Sequence, residues 1–339
     1  MDLARASEPC QNRRAMDRVS YSQNSEDVVL ARAFGNREHG FYIDVGAWHP
    51  VMDSVTCFFY RRGWRGVNVE PLPFYFELLE AERPEDVNLC IGIARSRGEQ
   101  TFYEDLSAPG LSTFVPSQAA RLRDQGHELR ELQRPVLPLA EVCAEHVDGE
   151  IDFLKIDVEG AERAVLESGD WNRWRPRVVL VEATAPEVFT EVHREWEGLL
   201  LEAGYLFALF DGLNRFFVRT EDRALLALLD RPACVLDHFV PYVHLQRVEE
   251  LQRQIAALEA VLREHERTAE GYAASLRQSL AEKEEEIRRL LDDLARREAE
   301  TRALTDSLQA SLAGKEREVQ ELERRLAAGA VASPRAQDG

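Results

Sequence analysis

Phe41-Tyr42-Ile43-Asp44-Val45-Gly46-Ala47-Trp48-His49-Pro50 decides the fold. An apolar, β-prone run ends on an acid and a glycine, and the chain then turns through Trp-His-Pro. A second short run, Gly66-Val67-Asn68-Val69-Glu70, closes on an acid before Pro71. Further strand-like runs lie at 87–93, 151–157 and 177–182. Helical patterns separate them at 74–81, where Pro71 and Pro73 flank the first turn, and at 161–167 and 189–203. Such alternation predicts an α/β domain of Rossmann-like type, a parallel sheet with crossover helices. Near its end, 205–210 and 215–219 flank Asp211-Gly212-Leu213-Asn214, the signature of a β-hairpin. The stretch 101–138, with Gly110-Leu111-Ser112-Thr113 and several prolines, reads as an insertion between sheet elements.

After His244 the composition changes. Up to Leu326 there is no proline, and Leu, Glu, Arg and Ala dominate. Val248, Leu251, Ile255, Leu258 and Leu262 form a heptad seam, with further seams at Leu280, Ile287, Leu290, Leu294 and at Leu312, Val319, Leu322, Leu326. Lys283 and Arg297 interrupt the middle seam at core-like positions. Ser275-Leu276-Arg277-Gln278-Ser279-Leu280 is repeated 32 residues later as Ser307-Leu308-Gln309-Ala310-Ser311-Leu312. That offset is three heptads plus an eleven-residue unit, so each repeat holds one stutter. The expected organisation is a flexible arm at 1–19, the α/β domain at 20–235 and a linker at 236–246. A long α-helical coiled coil at 247–327 and a disordered tail at 328–339 complete it.

The chain has 339 residues and a net charge of −19, most of it before His244. An acidic domain repels a phosphate backbone, so nucleic acid is not an expected partner. Five scattered cysteines without a C-x-x-C pair fit a reducing compartment. The first residues lack the apolar core of a signal peptide, and no run reaches the ~20 apolar residues of a membrane span. Those features together predict a cytoplasmic protein.

Ligands of doubly wound sheets bind beyond the carboxyl ends of the strands. There Gly46 allows close approach to the backbone, and Glu70 can accept from two ribose hydroxyls. The G-x-G-x-x-G cradle for a pyrophosphate is missing, which disfavours a nicotinamide-dependent oxidoreductase. It favours a phosphate-free nucleoside such as S-adenosylmethionine (SAM). Ile151-Asp152-Phe153-Leu154-Lys155-Ile156-Asp157-Val158-Glu159-Gly160-Ala161-Glu162 gathers charges at the end of an apolar strand. An acid there would face the sulfonium and an incoming nucleophile, while Glu162 suits a helix N-terminus.

Four strings taken in order resemble FkbM-type methyltransferases: Tyr21-Ser22-Gln23-Asn24-Ser25-Glu26-Asp27, Phe41 to Ala47, Gly63-Trp64-Arg65-Gly66-Val67-Asn68-Val69-Glu70-Pro71, and Ile156 to Glu162. The resemblance spans about 21–217 and leaves out the coiled coil. It implies a class I methyltransferase sheet, seven strands with a terminal antiparallel hairpin, that uses SAM to methylate hydroxyls of sugars or macrolides. By matching position, Asp44 and Gly46 would line the SAM pocket and Glu70 would hold its ribose. Asp157 and Glu159 would lie beside the methyl donor, and Gln23 and Asp27 would close the pocket. Ser25 stands where the family pattern has glycine, a strain if that turn needs φ > 0.

The expected reaction is methyl transfer from SAM to a hydroxyl of a glycan, surface polysaccharide above all, or of a small molecule. His49 is the first candidate for the general base, with Glu159 and Asp157 behind it. No metal is expected, the alternative being a divalent ion held by Asp157 and Glu159. Gly110 to Thr113 would suit an acceptor-side loop. Trp48, Trp64, Trp171 and Trp174 could stack on a sugar or simply fill the core. The coiled coil would form a homo-oligomer or pair with a partner helix. A different class remains: a coiled-coil scaffold whose methyltransferase-like domain is inactive.

Overall fold

The computed structural model describes residues 18–184 and 192–330, with side chains through Leu326. The expected arm up to residue 17, residues 189–191 of one expected helix, and the tail from 331 lie outside the described residues. The chain divides into two compact units, Met1–Leu251 and Gln252–Gly339.

In the first unit β1 (Val19–Ser20) leads into α1 (Glu26–Phe34). Next come β2 (Phe41–Val45), α2 (Cys57–Tyr60), β3 (Arg65–Val69), α3 (Pro73–Glu82) and β4 (Val87–Leu89). Pro73 opens α3, where a missing N–H costs nothing. β5 (Gly92–Ile93) and the start of β6 (Gly98–Asp105) precede the insertion expected at 101–138, which holds the rest of β6, α4 (Pro116–Asp124) and β7 (Leu129–Leu137). Alternation resumes with α5 (Leu139–His146), β8 (Phe153–Ile156), α6 (Glu162–Glu167) and β9 (Val178–Glu182). It ends with α7 (Glu197–Glu202), β10 (Tyr205–Phe210) and β11 (Asn214–Arg219).

Seven strands form the main sheet in the order β10-β11-β9-β8-β2-β3-β4. Pairings among β9, β8, β2, β3 and β4 are parallel, and β11 lies antiparallel to both β9 and β10. This is the class I methyltransferase arrangement with its terminal antiparallel hairpin. The run expected as one strand at 87–93 is two. β4 edges the main sheet, while β5 joins β7 and β6 in a separate three-stranded sheet. At the start of β5, Gly92 lies so close to the Phe114 ring that a Cβ there would come within 2.3 Å of it, so a side chain does not fit at that position.

Alternation along the strands divides the core into two layers. Ile43, Val45, Leu154 and Ile156 face one side with Val179 and Val181. Tyr42 and Phe153 face the other with Phe34, Phe59 and Trp64. Fully burying each of these large side chains contributes about 1.5–3 kcal/mol. Asp44 and Lys155 are register partners across β2 and β8, so both point to the aromatic side.

Where a linker was expected over 236–246, β12 (Val240–Pro241) pairs in parallel with β1. There α8 (Tyr242–Ala330) already begins, with the Tyr242 ring 5.0 Å from that of Tyr21. The α8 helix runs 89 residues, and from Gln252 onward it makes up the described part of the second unit. Among the described residues no helix is long and apolar enough to cross a membrane.

Candidate active site

The carboxyl ends of β2, β3 and β8 and the loops of the insertion enclose a cavity of about 340 Å³. That is within the usual range for small-molecule sites, roughly 300–1,000 Å³. Gln23, Gly46, Glu70, Asp157 and Glu159 line it, as do Leu72, Ile91, Ile93 and Phe114. The insertion adds the 108–112 loop, so the Gly110 stretch does border the cavity.

Gly46 has φ 78°, and its backbone lies so near the next strand that a Cβ would fall 1.8 Å from the Asp157 carbonyl oxygen. Only glycine fits there. Glu70 is buried, and its two carboxylate oxygens accept from the backbone N–H of Trp48 at 2.8 Å and of Leu72 at 2.7 Å. Burial outweighs those bonds and pushes its pKa up to about 7. Each oxygen keeps a lone pair for a ligand hydroxyl.

Lys155 carries the positive charge of this lining. Its Nζ donates to the Gly46 carbonyl at 2.6 Å and lies 3.3 Å from Asp44 Oδ1 and 3.4 Å from Asp157 Oδ2. Burial alone would lower its pKa, but Asp44 and Asp157 together raise it. Asp44 does not line the cavity. Its Oδ2 accepts from Thr56 Oγ1 at 2.7 Å, and Thr56 accepts in turn from the buried Arg83. Asp44 therefore holds Lys155 from behind the lining.

Asp27 likewise stands behind the lining. It is fully buried away from the cavity and accepts from Ser20 Oγ, Tyr21 N, Ser22 Oγ and Val28 N, which shapes the turn that presents Gln23. His49 also lies outside the lining. Its Nδ1 accepts from the backbone N–H of Val51 and Met52, both at 3.0 Å, so that lone pair organises a turn. Burial, then Arg83, lowers its pKa. Of the tryptophans, Trp48 borders the cavity, Trp64 is buried in the aromatic layer, and Trp171 and Trp174 pack on the opposite layer.

Asp157 and Glu159 come together, and Glu182 joins them from the end of β9. Carboxylate oxygens of all three lie within 4.8 Å of one another. Burial, then the charges of Asp157, Glu159 and Glu162, pushes the pKa of Glu182 far up. Glu162 keeps its helix-terminal role, accepting from the backbone N–H of Gly160 at 3.0 Å and Val158 at 3.3 Å. Sequence reasoning missed Lys155 and Glu182 as site residues. Their signals were present: a charge inside an otherwise apolar strand, and an acid closing one.

Residues 44–207 match the family model described as the methyltransferase FkbM domain. Among solved structures the chain is similar to a TehB-like SAM-dependent methyltransferase from Corynebacterium glutamicum, at 10% identity and a TM-score of 0.33, covering 57% of this chain and 87% of that one. It is also similar to a protein from Pyrococcus horikoshii provisionally described as an RNA methyltransferase, at 14% identity and a TM-score of 0.31, covering 58% and 82%. No match is found among curated proteins.

Proposed function

With a methyltransferase FkbM domain at residues 44–207 as premise, we propose that the chain is a SAM-dependent O-methyltransferase acting on a hydroxyl of a sugar or glycan, with surface polysaccharide as the acceptor class. The observation that carries this reading is an acid-lined cavity at the strand ends with a buried carboxylate, Glu70, and no phosphate cradle.

That lining fits SAM. Glu70 would take the ribose hydroxyls, the Gly46 backbone would lie against the ligand, and Gln23 would close over it. Leu72, Ile91 and Ile93 offer an apolar slot for an aromatic base. When bound, SAM supplies an electrophilic methyl on a positively charged sulfur. The surplus of carboxylates favours a cationic ligand over an anionic one.

Asp157 and Glu159 border the place where an acceptor hydroxyl would arrive. Burial and the acids around it push the Glu182 carboxyl well up, which favours its neutral form and eases the charge on its neighbours. We assign the general-base role to Asp157 or Glu159, oriented by Lys155 and the Glu182 proton. A base so placed contributes ~10²–10⁴ in rate, and positioning supplies the rest. The loop at 108–112 would border the acceptor. A net charge of −19 supports a non-nucleic-acid acceptor. Free thiols at Cys57, Cys90, Cys143 and Cys234 support a reducing, cytoplasmic setting.

Calorimetric titration of SAM into the wild type and Glu70→Gln tests the donor. Micromolar binding, at least ~10-fold weaker in the variant, is expected. Absence of binding by the wild type would bring forward the scaffold reading, in which the domain no longer turns over. Transfer of labelled methyl to glycan hydroxyls, assayed with the wild type, tests the acceptor.

A further inference from the structure

Four large apolar side chains of α8, Leu280, Ile287, Leu290 and Leu294, are each more than half exposed. So are Leu312, Val319, Leu322 and Leu326, 32 residues further on. We propose that this stripe is one half of a parallel, in-register, two-stranded coiled coil formed with a second copy of this chain. The proposal is independent of the methyltransferase reading.

Heptad positions carry the argument. Steps of three and four put Leu280, Ile287, Leu294, Leu312, Val319 and Leu326 at core a positions, and Leu290 and Leu322 at d. Three other d positions hold cations, Lys283, Arg297 and Lys315. Each is followed directly, at e, by a glutamate: Glu284, Glu298 and Glu316. In a parallel pair a d side chain enters a hole with the partner's e residue at one corner. Every core cation would then meet a glutamate of the second copy, and the exchange is reciprocal. In the single helix Lys283 Nζ bends instead to Glu286 at 2.6 Å and Lys315 Nζ to Glu318 at 3.1 Å.

The alternatives match less well. An antiparallel pair sets e against e and g against g. The e row here carries Glu284, Glu298, Glu316 and Glu323 beside Leu291, and the g row Glu286, Asp293, Glu300 and Glu318 beside Arg325, so most facing charges would be acids. The parallel pair has such clashes only between Asp293 and Glu298 and between Glu318 and Glu323. A slip of one heptad would pack Lys283 against Leu290 and Lys315 against Leu322. Stutters at Leu276–Leu280 and Leu308–Leu312 meet themselves only when the copies are in register or offset by a whole repeat. Two strands leave the lysine and arginine heads a way out to water, which a three- or four-stranded core would close.

The test uses the full chain carrying Leu290→Cys in a Cys10→Ser, Cys234→Ser background, since α8 has no cysteine of its own. Sedimentation equilibrium at micromolar concentration should give twice the chain mass, and mild oxidation should link the two copies covalently. A monomeric mass, or a trimeric one, overturns the proposal. So does a dimer that fails to cross-link with Leu290→Cys and also with Leu322→Cys. If both cysteine variants weaken the dimer, the unsubstituted chain still decides. There, Glu284→Lys, Glu298→Lys and Glu316→Lys combined should lower the helical melting temperature, and an unchanged or raised value counts against parallel pairing.

Discussion

Lys155 and Asp44 are register neighbours on β8 and β2, and their charges meet 3.3 Å apart with side chains only 9% and 1% exposed. The same ammonium reaches Gly46 and Asp157, so one buried cation ties the support of the cavity to its rim. Removing one partner of a buried pair leaves an uncompensated charge and costs about 3–5 kcal/mol. Lys155→Met should therefore destabilise the domain by about that much in urea unfolding. Lys155→Met combined with Asp44→Asn should recover a substantial part of the loss. A double variant no more stable than the single would show that the pair is not the source.

Stability should fall as pH rises from about 4.5 to about 7. Burial raises the carboxyl of Glu26 from 4.5 to about 7, and that of Glu70 likewise. A raised folded-state pKa means the native state binds more protons than the unfolded chain between those values. Each group then opposes folding by up to about 3 kcal/mol once pH exceeds 7. The urea midpoint should be higher at pH 5.5 than at pH 8. Glu26 lies away from the cavity, bonded to Asn24 N and Asn214 Nδ2, so Glu26→Gln should flatten part of the slope. A midpoint independent of pH would refute the assignment.

Ser25 occupies the left-handed region at φ 64°, ψ 33°, and its side chain makes no capping bond to α1. An L-residue there costs about 1–2 kcal/mol, against about 0.5–1 kcal/mol of extra chain entropy lost by glycine. Ser25→Gly should raise stability by roughly 0.5–1 kcal/mol and leave SAM affinity unchanged. A melting temperature below the wild type would mean the serine makes a compensating contact.

How much of this was legible depends on whether a role is local in sequence. Gly46, Glu70 and Asp157 could be found because each closes a strand, and strand ends are where such sheets place ligands. The positive φ of Ser25 was likewise legible from one missing glycine. Asp44 and Asp27 carry the same acidic signal, yet their carboxylates are taken up by Thr56 and Lys155, and by Ser20 and Ser22. Only packing decides that. Glu182 belongs to the site because β9 lies beside β8, a neighbour relation the string does not state. The break between β4 and β5 shows only in their partners, β3 for one and β7 for the other.

His49 gives a kinetic prediction. Its Nδ1 accepts from two backbone amides, which a general base at that nitrogen could not also do. His49→Asn keeps an acceptor near the turn and should retain SAM affinity and turnover within about threefold. His49→Ala should lose about 1 kcal/mol of stability through the orphaned amides. Loss of turnover by both variants, with SAM affinity intact, would return His49 to the chemistry.

Carboxylate oxygens of Asp157, Glu159 and Glu182 lie within 4.8 Å of one another and could hold a divalent ion, so chelation tests the metal-free reading directly. Lys155 already neutralises part of the charge on Asp157 at 3.4 Å. Burial and the acidic neighbours push the Glu182 carboxyl well up, towards its neutral form. A hard cation wants deprotonated oxygens and would have to displace both the proton and the ammonium's influence. Turnover is accordingly expected to survive chelation, and Glu182→Gln, which mimics the protonated form, should keep most activity. If Asp157 is the base of the pair, Asp157→Asn should lower the rate by ~10² or more, whereas a small loss would assign the role to Glu159. Activity abolished by chelator and restored by magnesium, together with an inactive Glu182→Gln, would instead show that all three oxygens serve a metal.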